Sequence, residues 1–140
     1  MAELVIKDKG SEIKITDTNF GDQAEKFIKE YFFKEVKDVR KRITKTKLHG
    51  ILDLVNKIYN KIFHLPNEEL TDSQLAEIAY IEVKMAYEFG REENVKKFGE
   101  ITHLMKLIRQ VRANKSKQDF LLYARYIESL IAYFKFYGGE

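Results

Sequence analysis

The sequence contains no cysteine and only one proline, Pro66, among its 140 residues. The absence of cysteine excludes disulfide bonds and thiolate metal sites, which fits a protein of a reducing compartment. No apolar run approaches the roughly 20 residues that a membrane-spanning helix needs. Acidic residues also appear too early for a secretory signal peptide. We therefore expect a soluble, cytoplasmic protein that does not bind membranes.

The sequence also lacks the common catalytic motifs. It has no glycine-rich phosphate loop, no nucleophile elbow and no metal-ligand spacing among its three histidines, which we interpret as surface or boundary residues. Glu82 is the one carboxylate that the helical pattern places on a buried side, and we expect it to pair with Arg125 or Arg109. We predict no enzymatic activity, no metal and no cofactor.

Charged residues make up 34% of the chain, yet the net charge is only +3. The positive charge is gathered in two places: residues 40–47 (RKRITKTK) and residues 106–117 (KLIRQVRANKSK) each hold five basic groups and no acid. Such clusters are what phosphate neutralisation requires. The alternative is that these cations only oppose helix dipoles. That explanation does not suit Lys45 and Lys47, which lie at the predicted start of a helix.

Apolar residues recur every three or four positions after residue 20, which predicts an all-α chain. Thr71 and Gln74 match a capping box, and Ser116 is the expected N-cap of the last helix. Gly90 is expected to end the third helix in the left-handed conformation, and Gly138 is expected to cap the last helix. The five predicted helices run from Asp22 to Val39, Thr44 to His64, Thr71 to Phe89, Glu92 to Arg112 and Ser116 to Tyr137.

Residues 1–19 hold two β-like pieces, LVIK and EIKIT, around the turn sequence DKGS. An isolated two-stranded hairpin is only marginally stable in water, so this segment forms either a hairpin or a disordered arm. We predict an N-terminal arm at residues 1–19 and a single helical domain at residues 20–140. The fold class is a compact bundle of about five helices with short loops.

Two of the predicted helices carry an unusual amount of apolar surface. The third has one narrow polar strip that includes Lys84, and the fifth has another that includes Arg125 and Lys135. A monomer rarely exposes large apolar patches. We therefore predict a protein–protein surface that involves the fifth helix together with the third. The alternative is that one helix is the bundle centre and the other is covered, and helix exchange between two copies is a further option.

The C-terminal stretch FLLYARYIESLIAYFKFYGG resembles the closing helix of the small subunit of the type III-A CRISPR effector, the Csm complex. Members of that family end in an aromatic-rich helix followed by two glycines. Here Ser129 stands where alanine is usual, and Phe134 where histidine is often expected. The stretch IEVKMAYEFGRE is similar to a second family motif. A third family motif is similar to ITKTKLHGILDLVNKIYN, and its basic residue falls near Lys47. Together the three stretches extend the resemblance over about residues 40–139.

The resemblance implies a helical, non-catalytic protein that lines the inner filament of a crRNA-guided ribonucleoprotein. Its implied partners are crRNA and target RNA, other Csm subunits and copies of itself. A homo-oligomeric helical adaptor without a nucleic-acid role, forming a homodimer in isolation, is the alternative. Taken with the basic clusters, the resemblance predicts RNA contacts from Arg40, Lys41, Arg42, Lys45, Lys47, Lys84, Arg91, Arg125 and Lys135.

Overall fold

A computed structural model describes residues 2–138. Within that range, a β-hairpin is followed by six α-helices, one more than predicted, which confirms the mostly helical fold class. Met1, Gly139 and Glu140, which the predictions included, lie outside the described residues. The elements are β1 (Glu3–Asp8), β2 (Ser11–Thr16), α1 (Phe20–Glu30), α2 (Lys45–Ile62), α3 (Asp72–Arg91), α4 (Glu93–Thr102), α5 (Leu104–Asn114) and α6 (Lys117–Phe136).

The N-terminal segment forms the hairpin rather than a disordered arm. Lys9 and Gly10 form its turn with φ values of 51° and 82°, as the tight turns that suit twisted strands require. Its alternate residues face the protein and belong to the main hydrophobic core, namely Leu4, Ile6, Ile13 and Ile15. The division into an arm at 1–19 and a helical domain at 20–140 stays a prediction.

The first helix is shorter than predicted. It continues into one π-helical turn, Tyr31–Glu35, and ends at Val36, where the backbone leaves the helical region. Arg42 ends this helix, because its guanidinium donates hydrogen bonds to the carbonyls of Phe32 and Val36. Val39, which the apolar pattern placed inside the helix, is exposed in a short 3-10 turn instead.

The predicted N-caps at Thr71 and Ser116 are confirmed. Ser116 accepts a hydrogen bond from a backbone amide at the start of α6, and Thr44 does the same at the start of α2, where no cap was predicted. Thr71 and Gln74 form the reciprocal capping box at the start of α3. In each case the signal is local, because a hydroxyl side chain satisfies an amide that has no partner inside the helix.

The expected left-handed cap at Gly90 is wrong. α3 continues through Gly90 to Arg91, and Gly90 has no positive φ. The glycine that packing does require is Gly99 of α4, where a Cβ atom would lie 2.3 Å from Cζ of Phe89. The missing side chain allows α3 and α4 to approach closely at this point.

The single helix predicted from Glu92 to Arg112 is wrong as well, because the chain breaks at His103. His103 has a left-handed backbone, with φ of 61°, and separates α4 from α5. It is buried with its ring against Phe27, rather than at the surface, and its Nε2 lies 3.4 Å from Oδ1 of Asp8. Burial lowers the pKa of His103, and the nearby Asp8 carboxylate only partly opposes that effect.

Two tyrosines of α6 stabilise the broken helix. Tyr126 donates a 2.7 Å hydrogen bond to the carbonyl of Thr102, and Tyr123 donates one of 2.9 Å to the carbonyl of Leu104. Both hydroxyls are fully buried, and burial raises the pKa of each tyrosine well above its usual value. These bonds satisfy polar groups on both sides of His103 that would otherwise be costly to bury.

The last helix, α6, lies at the centre of the bundle. It contacts α1, α2, α5 and β1, and twelve of its residues are buried. Its apolar surface is therefore used inside the chain, contrary to the expectation of a free packing surface along its length. Gly138 follows the helix end as the predicted cap, and its φ of 95° makes the cap a left-handed one. Within residues 2–138, no helix is long and apolar enough to cross a membrane.

Candidate nucleic-acid interface

The first basic run forms the joint between α1 and α2. Asp38 accepts hydrogen bonds from the backbone and the guanidinium of Arg40, whose side chain is still 90% exposed. Lys41 and Lys45 are also exposed. The joint is held from inside, because the backbone amide of Ile43 donates a 2.7 Å hydrogen bond to the Tyr31 hydroxyl. Several cations are thus displayed on a short, fixed segment.

Arg42 does not share that exposure. Besides the hydrogen bonds that end the first helix, its guanidinium lies over the ring of Phe32, with 4.5 Å between the guanidinium carbon and the ring centroid. Stacking and carbonyl contacts commit this arginine to holding the joint. The contacts that Arg42 makes within the chain are therefore structural.

Lys47 joins the first turn of α2 to the end of α3. Its Nζ lies 3.1 Å from a carboxylate oxygen of Glu92 and 3.3 Å from one of Glu88. Arg91 lies 3.5 Å from the same two oxygens. The hydrogen bonds to Glu92 and then Glu88 raise the pKa of Lys47. These carboxylates offset the unfavourable position of a cation at a helix N-terminus.

The exposed face of α3 carries tyrosines beneath cations. Lys84 lies over Tyr80 at 5.2 Å from the ring centroid, and Arg91 lies over Tyr87 at 5.6 Å. Val83 is exposed between these two rings. Sequence reasoning found the cations but missed the tyrosines. The signal was available, because each tyrosine precedes its cation by four residues, the spacing of neighbours on a helix surface.

Seven of the nine predicted RNA-contacting residues lie on the α1–α2 joint, the start of α2 or the second half of α3, and we call this surface the basic joint patch. Ion pairs link Lys47 to Arg91 through shared carboxylates, and Lys84 lines the same groove between α2 and α3 as Lys47. The members of the basic joint patch are Arg40, Lys41, Arg42, Lys45, Lys47, Lys84 and Arg91.

Arg125 and Lys135 lie outside this patch. Arg125 is 3.8 Å from Asp17, on the loop after β2. Lys135 is exposed in the last turn of α6, beside the exposed ring of Phe136. In the described part of the chain, no ion pair or hydrogen bond connects either residue to the basic joint patch.

Three of the five cations of the second basic run are engaged within the chain. The predicted pairing of Glu82 with Arg109 is confirmed, and Arg112 joins it at 2.9 Å. The side chain of Glu82 is only 12% exposed. Lys117 is buried and donates a hydrogen bond to the carbonyl of Leu65. Lys106 and Lys115 of this run are exposed.

Metal-binding geometry is not apparent in the described residues. No group of three or more histidine, aspartate or glutamate side chains within residues 2–138 is arranged to hold a metal ion. The surface grooves beside the basic joint patch are open and lined by both acids and lysines, including Glu93 and Lys97. Such a surface can make charge-assisted hydrogen bonds to an extended ligand such as a nucleic-acid backbone.

Comparison with known proteins identifies the family. The family model described as "Csm2 Type III-A" matches residues 19–140. A protein named "CRISPR system Cms protein Csm2" from Enterococcus italicus is 38% identical over 132 residues, covering 89% of this chain and 91% of its own length. Proteins of the same name from Streptococcus thermophilus and Mycobacterium tuberculosis are 29% and 28% identical, covering 90% and 67% of this chain and 97% and 74% of their own lengths. The resemblance predicted from the sequence is thus confirmed, and the chain belongs to the Csm2 family of type III-A CRISPR systems.

Proposed function

We propose that the protein is the non-catalytic, RNA-binding small subunit of a crRNA-guided type III-A CRISPR complex in the cytoplasm. It lines the inner filament and contacts the backbone of the target RNA paired with crRNA, while the guide supplies sequence specificity. The observation that carries the proposal is the basic joint patch, where the start of α2, which follows the α1–α2 joint, lies beside the cations of α3. Phosphate neutralisation by such cations gives binding that is independent of sequence and sensitive to salt.

The exposed and committed cations of the patch have different parts in this proposal. Arg40, Lys41, Lys45 and Lys84 are exposed and make the first contacts with phosphate. Arg42 positions the joint through its carbonyl bonds. The contacts proposed for Arg125 and Lys135 concern a second surface, because these residues lie apart from the patch.

A charge-reversal variant tests this assignment without disturbing the Arg42 cap. Arg40→Glu/Lys41→Glu/Lys45→Glu should weaken binding of labelled RNA at low salt by roughly ten- to a hundredfold. The dependence of log affinity on log salt should lose roughly two units, since about three phosphate contacts disappear. Fluorescence anisotropy over a salt series measures both quantities.

The second basic run supplies a matched control. Lys106→Glu/Arg109→Glu/Lys115→Glu changes the net charge by the same amount, but Arg109 and Lys115 lie beside the first half of α3, away from the basic joint patch. This variant should lose much less affinity. Equal losses in the two variants would mean that net charge, and not the basic joint patch, governs binding.

Protein partners are a second part of the proposal, favoured by the apolar face of α3. Tyr80, Val83 and Tyr87 are all more than half exposed, an arrangement typical of a protein–protein contact. This face would pack against other Csm subunits or against a second copy. Light scattering tests the homo-oligomeric alternative, which predicts a stable dimer of the isolated protein and no response to RNA.

A further inference from the structure

Two carboxylates occupy the middle of the basic joint patch. Glu88 and Glu92 lie between Lys47 and Arg91, and each carboxylate is within 3.5 Å of both cations. All four side chains are between 30% and 48% exposed. The four formal charges cancel, so this part of the patch offers no net positive charge to a phosphate.

A carboxylate and a phosphate compete for the same donors. Both accept charge-assisted hydrogen bonds from lysine and arginine. A nucleic-acid backbone that reaches Lys47 and Arg91 must therefore replace the contacts that Glu88 and Glu92 already make. Because the carboxylates are partly exposed, they can turn outward into water when phosphate takes their place.

Capping does not explain the arrangement. Glu92 lies between α3 and α4, yet its side chain makes no capping hydrogen bond at the start of α4. Partly exposed ion pairs also contribute little to folding, because water screens them. The remaining effect of the two carboxylates is electrostatic: they weaken the attraction of Lys47 and Arg91 for an anion that approaches the patch.

We propose that Glu88 and Glu92 are internal competitors for RNA phosphate that hold Lys47 and Arg91 neutralised until RNA displaces them. The carboxylates thereby keep the affinity of the isolated protein for RNA low. Firm binding then requires an RNA strand presented in a fixed position, as within an assembled complex. This inference rests on the proposed RNA-binding function and concerns the regulation of the same site.

The test compares RNA affinities of full-length variants by fluorescence anisotropy with one labelled single-stranded RNA. Glu88→Gln/Glu92→Gln should bind about five- to tenfold more tightly than the parent protein. Its salt dependence should also be steeper, by about one phosphate contact for each cation released. Glu92→Gln alone should show part of this gain, and it provides a second variant if the double substitution impairs folding.

Net charge is controlled with two carboxylates outside the patch. Glu12→Gln/Glu77→Gln raises the net charge equally, and Glu77 is likewise paired with a lysine, Lys61. This control should change affinity much less than Glu88→Gln/Glu92→Gln. In a Lys47→Gln/Arg91→Gln background, the gain from removing the two carboxylates should vanish, since the cations they mask are gone.

The outcomes separate this inference from the proposed function. If the parent binds RNA but the patch variant gains no more than its charge control, the competitor role is overturned and RNA binding stands. A gain that persists without Lys47 and Arg91 has the same meaning. If only the carboxylate variant binds RNA, the competitor role is supported. If neither binds at low salt, both proposals fail.

Discussion

Helices α3 and α6 have similar sequences but different positions in the molecule, because α6 lies at the centre of the bundle and α3 is largely exposed. Both are twenty residues long and apolar almost all round, yet twelve residues of α6 are buried and only four of α3. Their tyrosines show the difference. In α6, Tyr123 and Tyr126 donate to buried carbonyls, whereas Tyr80 and Tyr87 of α3 lie at the surface beneath cations. An all-round apolar helix can therefore be either a core or an exposed surface, depending on how many other elements pack against it.

The largest expected effect comes from removing a core side chain of α6. Phe120 is fully buried, and Phe120→Ala should lower the free energy of unfolding by about 3–5 kcal/mol because it leaves a cavity. Tyr87→Ala on α3 should change it by less than about 0.5 kcal/mol. Urea denaturation measures both. Similar losses in the two variants would remove the distinction between the helices.

A smaller loss of stability is expected from removing the buried hydroxyl of Tyr126 in α6. Tyr126→Phe leaves the carbonyl of Thr102 without its 2.7 Å hydrogen bond, which should cost about 1–2 kcal/mol of unfolding free energy. Tyr80→Phe on α3 is the matched control, and it should have almost no effect because that hydroxyl lies at the surface. An unchanged stability of Tyr126→Phe would show that the broken helix does not depend on α6.

The α4–α5 break that α6 supports should respond to pH. Burial lowers the pKa of His103 in the folded protein, so the unfolded chain, with a histidine pKa near 6.5, binds the proton more readily. The contribution of neutral His103 to the free energy of unfolding should therefore be fully present above about pH 6.5. It should be lost as the pH falls towards the lower pKa of the folded protein. Thermal unfolding of the parent and of His103→Asn, which tolerates the left-handed backbone, measures the difference. Identical pH profiles would exclude His103 as the cause.

The smallest effect on stability is expected from the exposed face of α3. Tyr80→Ser/Val83→Ser/Tyr87→Ser should alter the unfolding free energy by less than about 0.5 kcal/mol per substitution. It should nevertheless reduce any self-association seen by light scattering, because it removes the apolar contact area. Phe63→Ser/Leu65→Ser, at another exposed apolar site, is the control. An equal reduction in both variants would mean that the α3 face has no special role.

Local signals in the sequence predicted much of the fold. The caps at Thr71, Ser116 and Gly138 were all predicted, because each depends on residues within one helical turn. The break at His103 was not, since apolar residues continue through it at helical spacing. Its support comes from tyrosines about twenty positions further along the chain, a relationship that periodicity does not contain.

The candidate site shows the same limit. The positions of Lys45 and Lys47 at a helix start, and the buried side on which Glu82 lies, followed from residue type and helical spacing, whereas the choice of Arg109 over Arg125 as its partner did not. The use of Arg42 as a helix cap and the carboxylates beside Lys47 did not. Glu88 is 41 positions away from Lys47, so only the packing of α2 against α3 brings these charges together.

The hairpin has a consequence for the order of folding. The side-chain amide of Gln110 makes two hydrogen bonds with the backbone of Val5, and Asp119 accepts one from the backbone of Glu3. These contacts join residues 105 and 116 positions apart. Contacts of such sequence separation form late, because a long loop must close first. The strand nearest the N-terminus therefore docks only after the last helices exist, and until then its unpaired edge is open to other chains.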